Sequence, residues 1–175
     1  MLVFSPTQGE KSSYWVLRAS YLARKHDLEF GRVDCCDPTD GAGQGLVSIR
    51  GETFECRVHI TGKGRWAHVP ADWVMYRDGA IQHVARPESG RRYLVEGGGD
   101  QPPLRLRLEG LGARFAIEPA TERMRIGEMI WTRAALVPRP RQAHMVLQTT
   151  PELPERLSMF LAWVGLQHWL RLTRE

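Results

Sequence analysis

Apolar residues in this chain follow two patterns. Over most of its length they alternate with polar ones. Residues 53–60 put Phe54, Cys56, Val58 and Ile60 on one face and Glu55, Arg57 and His59 on the other, the period of a half-buried strand. Leu104, Leu106 and Leu108 alternate with Arg105, Arg107 and Glu109 in the same way. Shorter runs of strand composition cover residues 14–18, 28–33, 46–50, 66–69, 72–76, 80–85, 91–96, 113–117, 123–131 and 145–148. Turn chemistry separates them, with Gly51-Glu52, Arg77-Asp78-Gly79, Gly97-Gly98-Gly99-Asp100 and Gly110-Leu111-Gly112 as the clearest breaks. Residues 1–12 read as a flexible arm and residues 20–26 as a helical turn. Residues 34–45 read as a long turn-rich loop, and residues 134–142, with Pro138 and Pro140, as a connector. Gly127 breaks the alternation of its strand, which points to a bulge or a close backbone approach.

The second pattern fills residues 154–172. Wound at 100° per residue, Leu157, Met159, Phe160, Leu161, Ala162, Trp163, Val164, Leu166, Trp169, Leu170 and Leu172 leave no wide polar face. A surface helix shows a stripe, whereas one that is apolar all round is buried on every side. Pro151 and Pro154 suit the first turn, Glu152 and Glu155 favour its positive end, and Arg171 and Arg174 its negative end. From Leu157 the helix rises only about 24 Å, short of the ~30 Å needed to span a bilayer.

Eleven or twelve short strands followed by one helix predict a closed antiparallel β-barrel, or a closed sandwich. A closed sheet of that many strands encloses a wide interior. The terminal helix is the one segment apolar enough to fill it, so the expected fold is a single domain over residues 1–175 with that helix through its centre.

The order of elements resembles the tubby-like superfamily: the tubby C-terminal domain, the phospholipid scramblases and the LURP-one-related proteins. The resemblance is carried from residue 91 to residue 172. It rests on the glycine-punctuated strand pairs, Phe115-Ala116-Ile117, the strand Arg125-Ile126-Gly127-Glu128-Met129-Ile130, and the terminal strand and helix. It implies a twelve-stranded antiparallel barrel threaded by a hydrophobic helix. This chain has no lysine and arginine cluster matching the phosphoinositide pocket of tubby domains, and no proline- and cysteine-rich tail of the scramblase kind. The family's lipid-binding residues therefore have no counterparts to inherit their role, and fold alone does not fix function.

Composition narrows the classes further. Of 175 residues, 42% are hydrophobic and 25% charged, which are globular values, and the net charge is +4. Lysine occurs only at positions 11, 25 and 63, so the basicity is arginine, spread among acids without the clustered stripe of a nucleic-acid binder. Three cysteines, two of them vicinal (Cys35 and Cys36, with Cys56 apart), suggest reduced thiols and a cytoplasmic setting, with a peripheral place at a membrane surface as an extension. Residues 1–13 lack the layout of a signal peptide.

Catalytic and metal signatures are missing. Gly41–Gly45 and Gly62–Arg65 do not lead into a helix as a phosphate loop requires. The six histidines show neither HxH nor HExxH spacing, and a set such as Cys35, Cys36, His59 and His68 lacks the spacing of a zinc site. No nucleophile elbow and no acid–base pair can be named. The expectation is a non-enzymatic binding or scaffold module with no cofactor. One site is expected. Arg105 and Arg107 project from one strand, and Arg91 and Arg92 open the strand before it, so pairing of those strands would gather guanidinium groups suited to phosphate or an anionic phospholipid. The bland alternative is a solvated face neutralised by Glu96 and Glu109. Two rival functions remain: a lipocalin-like carrier with a hollow cup and an outer helix, and a subunit of a larger protein assembly using Trp66 and Trp73 as interface aromatics.

Overall fold

The computed structural model describes residues 1–7, 16–38, 43–61, 71–89, 91–98, 101–110, 114–132, 144–150 and 152–172. Twelve strands follow one another around a closed barrel. They are β1 (Leu2–Pro6), β2 (Val16–Lys25), β3 (Leu28–Pro38), β4 (Gln44–Ile49), β5 (Glu52–Ile60), β6 (Ala71–Arg77), β7 (Ala80–Ser89), β8 (Arg92–Gly97), β9 (Leu104–Glu109), β10 (Arg114–Pro119), β11 (Gly127–Thr132) and β12 (His144–Thr149). Each pairs antiparallel with its sequence neighbours, and β1 closes the ring against β12 through Leu2↔Leu147, Val3↔Val146 and Phe4↔Met145. At one rim the connections are tight. Arg50–Gly51 and Asp78–Gly79 have positive φ at both central residues, the two-residue turn whose twist matches the strands it joins.

The helix α1 (Glu155–Leu172) enters at that rim and runs inside the barrel. Every residue from Leu157 to Trp169 is buried, as the all-round apolar pattern predicts. The helix leans on β3 and β4, where three glycines make room for it. A Cβ on Gly31 would overlap the Ser48 carbonyl and stand 3.1 Å from Met159 Cε, one on Gly45 would overlap the Trp163 indole, and one on Gly43 would overlap the Gln167 amide. Met159, Trp163 and Gln167 are spaced by four and so form one stripe of the helix, keyed into three notches of the wall. Aromatics fill the opposite side. Trp131 stacks on Trp169 with centroids 5.2 Å apart, and His168 meets Trp73, Tyr93 and Phe115 edge-on.

Several sequence expectations need correction. Residues 2–6 of the expected arm form β1, because Leu2 and Phe4 alternate inward and complete the ring; residues 8–12 lie outside the described residues. Residues 20–25 of the expected helical turn at 20–26 belong to β2, whose inward positions are Tyr21 and Ala23, and His26 begins the turn that follows. Of the expected loop at 34–45, residues 34–38 belong to β3 and 44–45 to β4, with Cys35 facing in and Cys36 facing out, and residues 39–42 lie outside the described residues. Residues 123–126 are not strand, since the β10–β11 ladder stops at Ile117↔Gly127. Gly127 is a close backbone approach: a Cβ there would overlap the Gln148 carbonyl. Trp73 is buried inside the barrel, stacked on Tyr93 at 4.6 Å, so it is no interface aromatic. Residues 66–69, Trp66 among them, and residues 134–142 lie outside the described residues.

Candidate functional site

The four arginines singled out by the alternation share one part of the outer wall. β8 pairs with β9, bringing Arg92 directly opposite Arg107 and Leu94 opposite Arg105. Leu104 and Leu106 point inward and are buried, which obliges Arg105 and Arg107 to point outward. Arg91 sits just before β8 and donates from Nη1 to the Gly110 carbonyl at 2.8 Å.

Two of the four guanidinium groups are already engaged by carboxylates. Arg105 forms a two-pronged pair with Glu88, Nε to Oε2 at 2.7 Å and Nη2 to Oε1 at 3.0 Å. Arg107 donates from Nε and Nη2 to Glu118 Oε1 at 3.1 and 2.9 Å, and Nη2 also lies 3.0 Å from Glu109 Oε1. Glu118 is buried, so its bond to Arg107 is the more protected of the two. The lattice continues, with Arg125 bridging Glu109 and Glu128 and Arg114 standing 3.6 Å from Glu128. The hydrogen bond from Arg105 holds the Glu88 carboxyl below its ordinary range, and the charges of Arg105 and Arg92 add to the effect. Of the two carboxylates expected to neutralise this face, Glu109 does meet Arg107, whereas Glu96 bonds Arg86. The six arginines 91, 92, 105, 107, 114 and 125 face the four glutamates 88, 109, 118 and 128. The local surplus is positive and resides chiefly in Arg91 and Arg92.

Three further features went unread in the sequence. At the rim where the helix enters, Glu152 pairs with Lys25 and Glu155 with Arg50, while Glu52 accepts from Arg156 at 3.0 Å and Arg77 at 3.2 Å. These charges lie far apart in sequence, and periodicity carries no sign of their meeting. Beneath that rim His83 is buried, stacked on Phe160 at 5.5 Å. Burial and then the nearby Arg156 charge lower its pKa to about 4. On the far wall an open groove of about 660 Å³ runs over β3–β5, with Leu46 framed by Arg32, Asp34, Glu55 and Arg57. Its arginines are also paired, Arg32 with Asp34 at 2.9 Å and Arg57 with Glu55 at 2.8 Å.

Among the described residues no group of three or more His, Cys, Asp or Glu side chains is placed to hold a metal. Cys35 and Cys36 face opposite sides of the wall, so they do not converge with His59; His68 lies outside the described residues. Cys35, Cys36 and Cys56 form no disulfide, and burial pushes the Cys56 thiol up, away from reactivity at neutral pH. Among the described residues no helix is long and apolar enough to cross a membrane. Compared with known proteins, the chain matches no family model, and neither a curated protein nor a solved structure gives a significant match.

Proposed function

We propose that this chain is a non-enzymatic binding module of tubby-like architecture that recognises phosphate or anionic phospholipid head groups on its outer wall, at the corner built by Arg91, Arg92, Arg105 and Arg107. One observation carries the reading: the helix fills the barrel from Leu157 to Trp169, so recognition falls to the outside. A carrier needs a hollow cup, and here the aromatic side chains and the helix occupy that space. On the outside, Arg92 opposite Arg107 places two like charges face to face, of which that of Arg107 is offset by Glu118 and Glu109. Guanidinium groups suit phosphate because their planar forks match its oxygens. Such a module would work peripherally in the cytoplasm, with its ligand setting its place.

Vesicle flotation tests this. The protein is expected to float with vesicles containing phosphatidylserine or phosphatidylinositol phosphates and not with pure phosphatidylcholine. Binding should fall with rising salt and be lost in the Arg91→Ala/Arg92→Ala variant. Flotation that is unchanged in the quadruple alanine variant of the four arginines would remove the reading.

A further inference from the structure

The lattice around the arginine corner has one irregular member. Along β7 the register with β8 shifts between Pro87, opposite Tyr93, and Ser89, opposite Arg92. Glu88 is the extra residue of that bulge. A bulge frees one residue from the ladder and re-aims its side chain. Here it sends a carboxylate from β7 across β8 to the fork of Arg105 on β9. The other glutamates of the lattice, Glu109, Glu118 and Glu128, sit in regular strand positions and bond within their own strand, to the next strand or to Arg125. Arg92, diagonal to Arg105 in the β8–β9 ladder, is the second positive charge acting on Glu88.

We infer that Glu88 is a built-in competitor: its carboxylate occupies the seat that a phosphate group takes between Arg92 and Arg105, and ligand binding displaces it. This rests on the reading of the corner as an anion site and adds how that site is held shut. The two-pronged geometry of Glu88 on Arg105 is the one a phosphate adopts on a guanidinium fork. A phosphomonoester brings up to two charges and three oxygens against the single charge of Glu88, so it can engage Arg92 and Arg105 together. Displacement asks little of the fold. The Glu88 and Arg105 side chains are 35% and 19% exposed, and a bulge residue moves without breaking a ladder bond. Arg107 is excluded from the exchange because Glu118 and Glu109 hold it, the former from a buried position.

The test is calorimetric titration of the whole chain with inorganic phosphate and with soluble inositol trisphosphate, and flotation with phosphatidylinositol phosphate vesicles. Wild type is compared with Glu88→Gln alone and with Glu88→Gln combined with Arg92→Ala/Arg105→Ala. Removing the competing pair should tighten binding about fivefold, the upper range for a well-formed exposed ion pair, and the gain should vanish in the combined variant. A gain for both soluble probes marks a general phosphate seat, and one confined to vesicles marks a lipid head group; either supports the inference. Glu88→Gln binding no tighter than wild type, or a gain that survives the loss of Arg92 and Arg105, overturns it. Wild-type binding that ignores all four arginines instead sinks the reading beneath it, and no binding by either protein sinks both. If Glu88→Gln fails to fold, the carboxyl resonance of Glu88 in the wild type decides. Its pKa should rise towards the ordinary glutamate value as inositol trisphosphate saturates, and a fixed value refutes displacement.

Discussion

Replacing Gly45 by alanine probes how closely the helix is keyed into the wall. The new Cβ would stand 2.9 Å from Trp163 Cδ1, closer still to its Nε1, and would also overlap the Asp34 carbonyl. Real Cβ contacts rarely close below about 3.4 Å, so the indole must retreat by more than half an ångström. Trp163 is wholly buried, with Phe160 stacked beside it at 6.2 Å, and a rigid ring in such a place cannot retreat alone. Overpacking of this kind costs about 1–3 kcal/mol, and two overlaps place Gly45→Ala at the upper end. For a chain of this size that is a fall in Tm of roughly 6–12 °C. The second half of the test is compensation. Trp163→Leu alone should cost about 3 kcal/mol through the cavity it leaves. Added to Gly45→Ala it should cost less than the sum by about 1–2 kcal/mol, because the shorter side chain clears the methyl group. Full rescue is not expected, since the Asp34 overlap persists. Urea unfolding followed by circular dichroism measures all three variants. Additivity within about 0.5 kcal/mol would show that Gly45 and Trp163 do not touch, and the keyed helix would have to be abandoned.

Two more predictions concern polar groups inside the barrel. His83 is neutral in the fold, with a pKa of about 4 against about 6.5 unfolded. The unfolded chain therefore binds the extra proton, and stability that is complete above pH 6.5 is lost as pH falls towards 4, by on the order of 2 kcal/mol. His83→Phe should flatten that part of the stability–pH curve; an unaltered acid limb rules His83 out as its source. Gln167 donates to the Cys36 carbonyl at 3.2 Å while its own buried oxygen has no partner among the described residues. Exchanging one bond and one orphan for a flexible apolar chain, Gln167→Met should leave stability within about 1 kcal/mol of wild type, on the stabilising side. A loss above about 2 kcal/mol by thermal unfolding contradicts that balance.

The helix was legible because its signal is redundant: thirteen successive residues are buried in the structure, so no single polar position could hide it. Strands with one apolar face were legible for the same reason, as in β5 and β9. Those that failed break the alternation. In β2 the inward residues are Tyr21 and the small Ala23 while Leu22 lies on the outer face, so the hydrophobic signal points the wrong way. In β3 the inward Cys35 follows an aspartate and precedes a second cysteine, which reads as a turn. Arg123 to Ile126 mimics a strand, yet Met124 is 59% exposed and the ladder with β10 begins only at Gly127. The arginines of the candidate site could be placed on one wall from alternation alone. Their partners could not, because Glu88 and Glu118 reach them from other strands, and register is not written in a single strand. One clue lay unused: Pro87 within β7, since proline inside a strand belongs at an edge or a bulge, and this barrel has no edge.

The absence of an edge bears on function as much as on fold. Proteins that bind peptides through a sheet do so by adding a strand to exposed N–H and C=O groups, and closure through β1 and β12 withdraws that option. Binding within a barrel requires space, which Met159, Trp163 and Gln167 on one flank and the stacked Trp131 and Trp169 on another have taken. Among the described residues, what is left to a ligand is the side chains of the wall and rims. There, carboxylate-paired arginines are the rule, and breaks in the regular pattern of charge or register are the exceptions. Arg92 opposite Arg107 and the bulged Glu88 are two such exceptions, and they are neighbours. Chains relax local rules where function asks for it, so the coincidence of two irregularities on one corner ranks it above the β3–β5 groove, whose ion pairs join residues two apart along single regular strands.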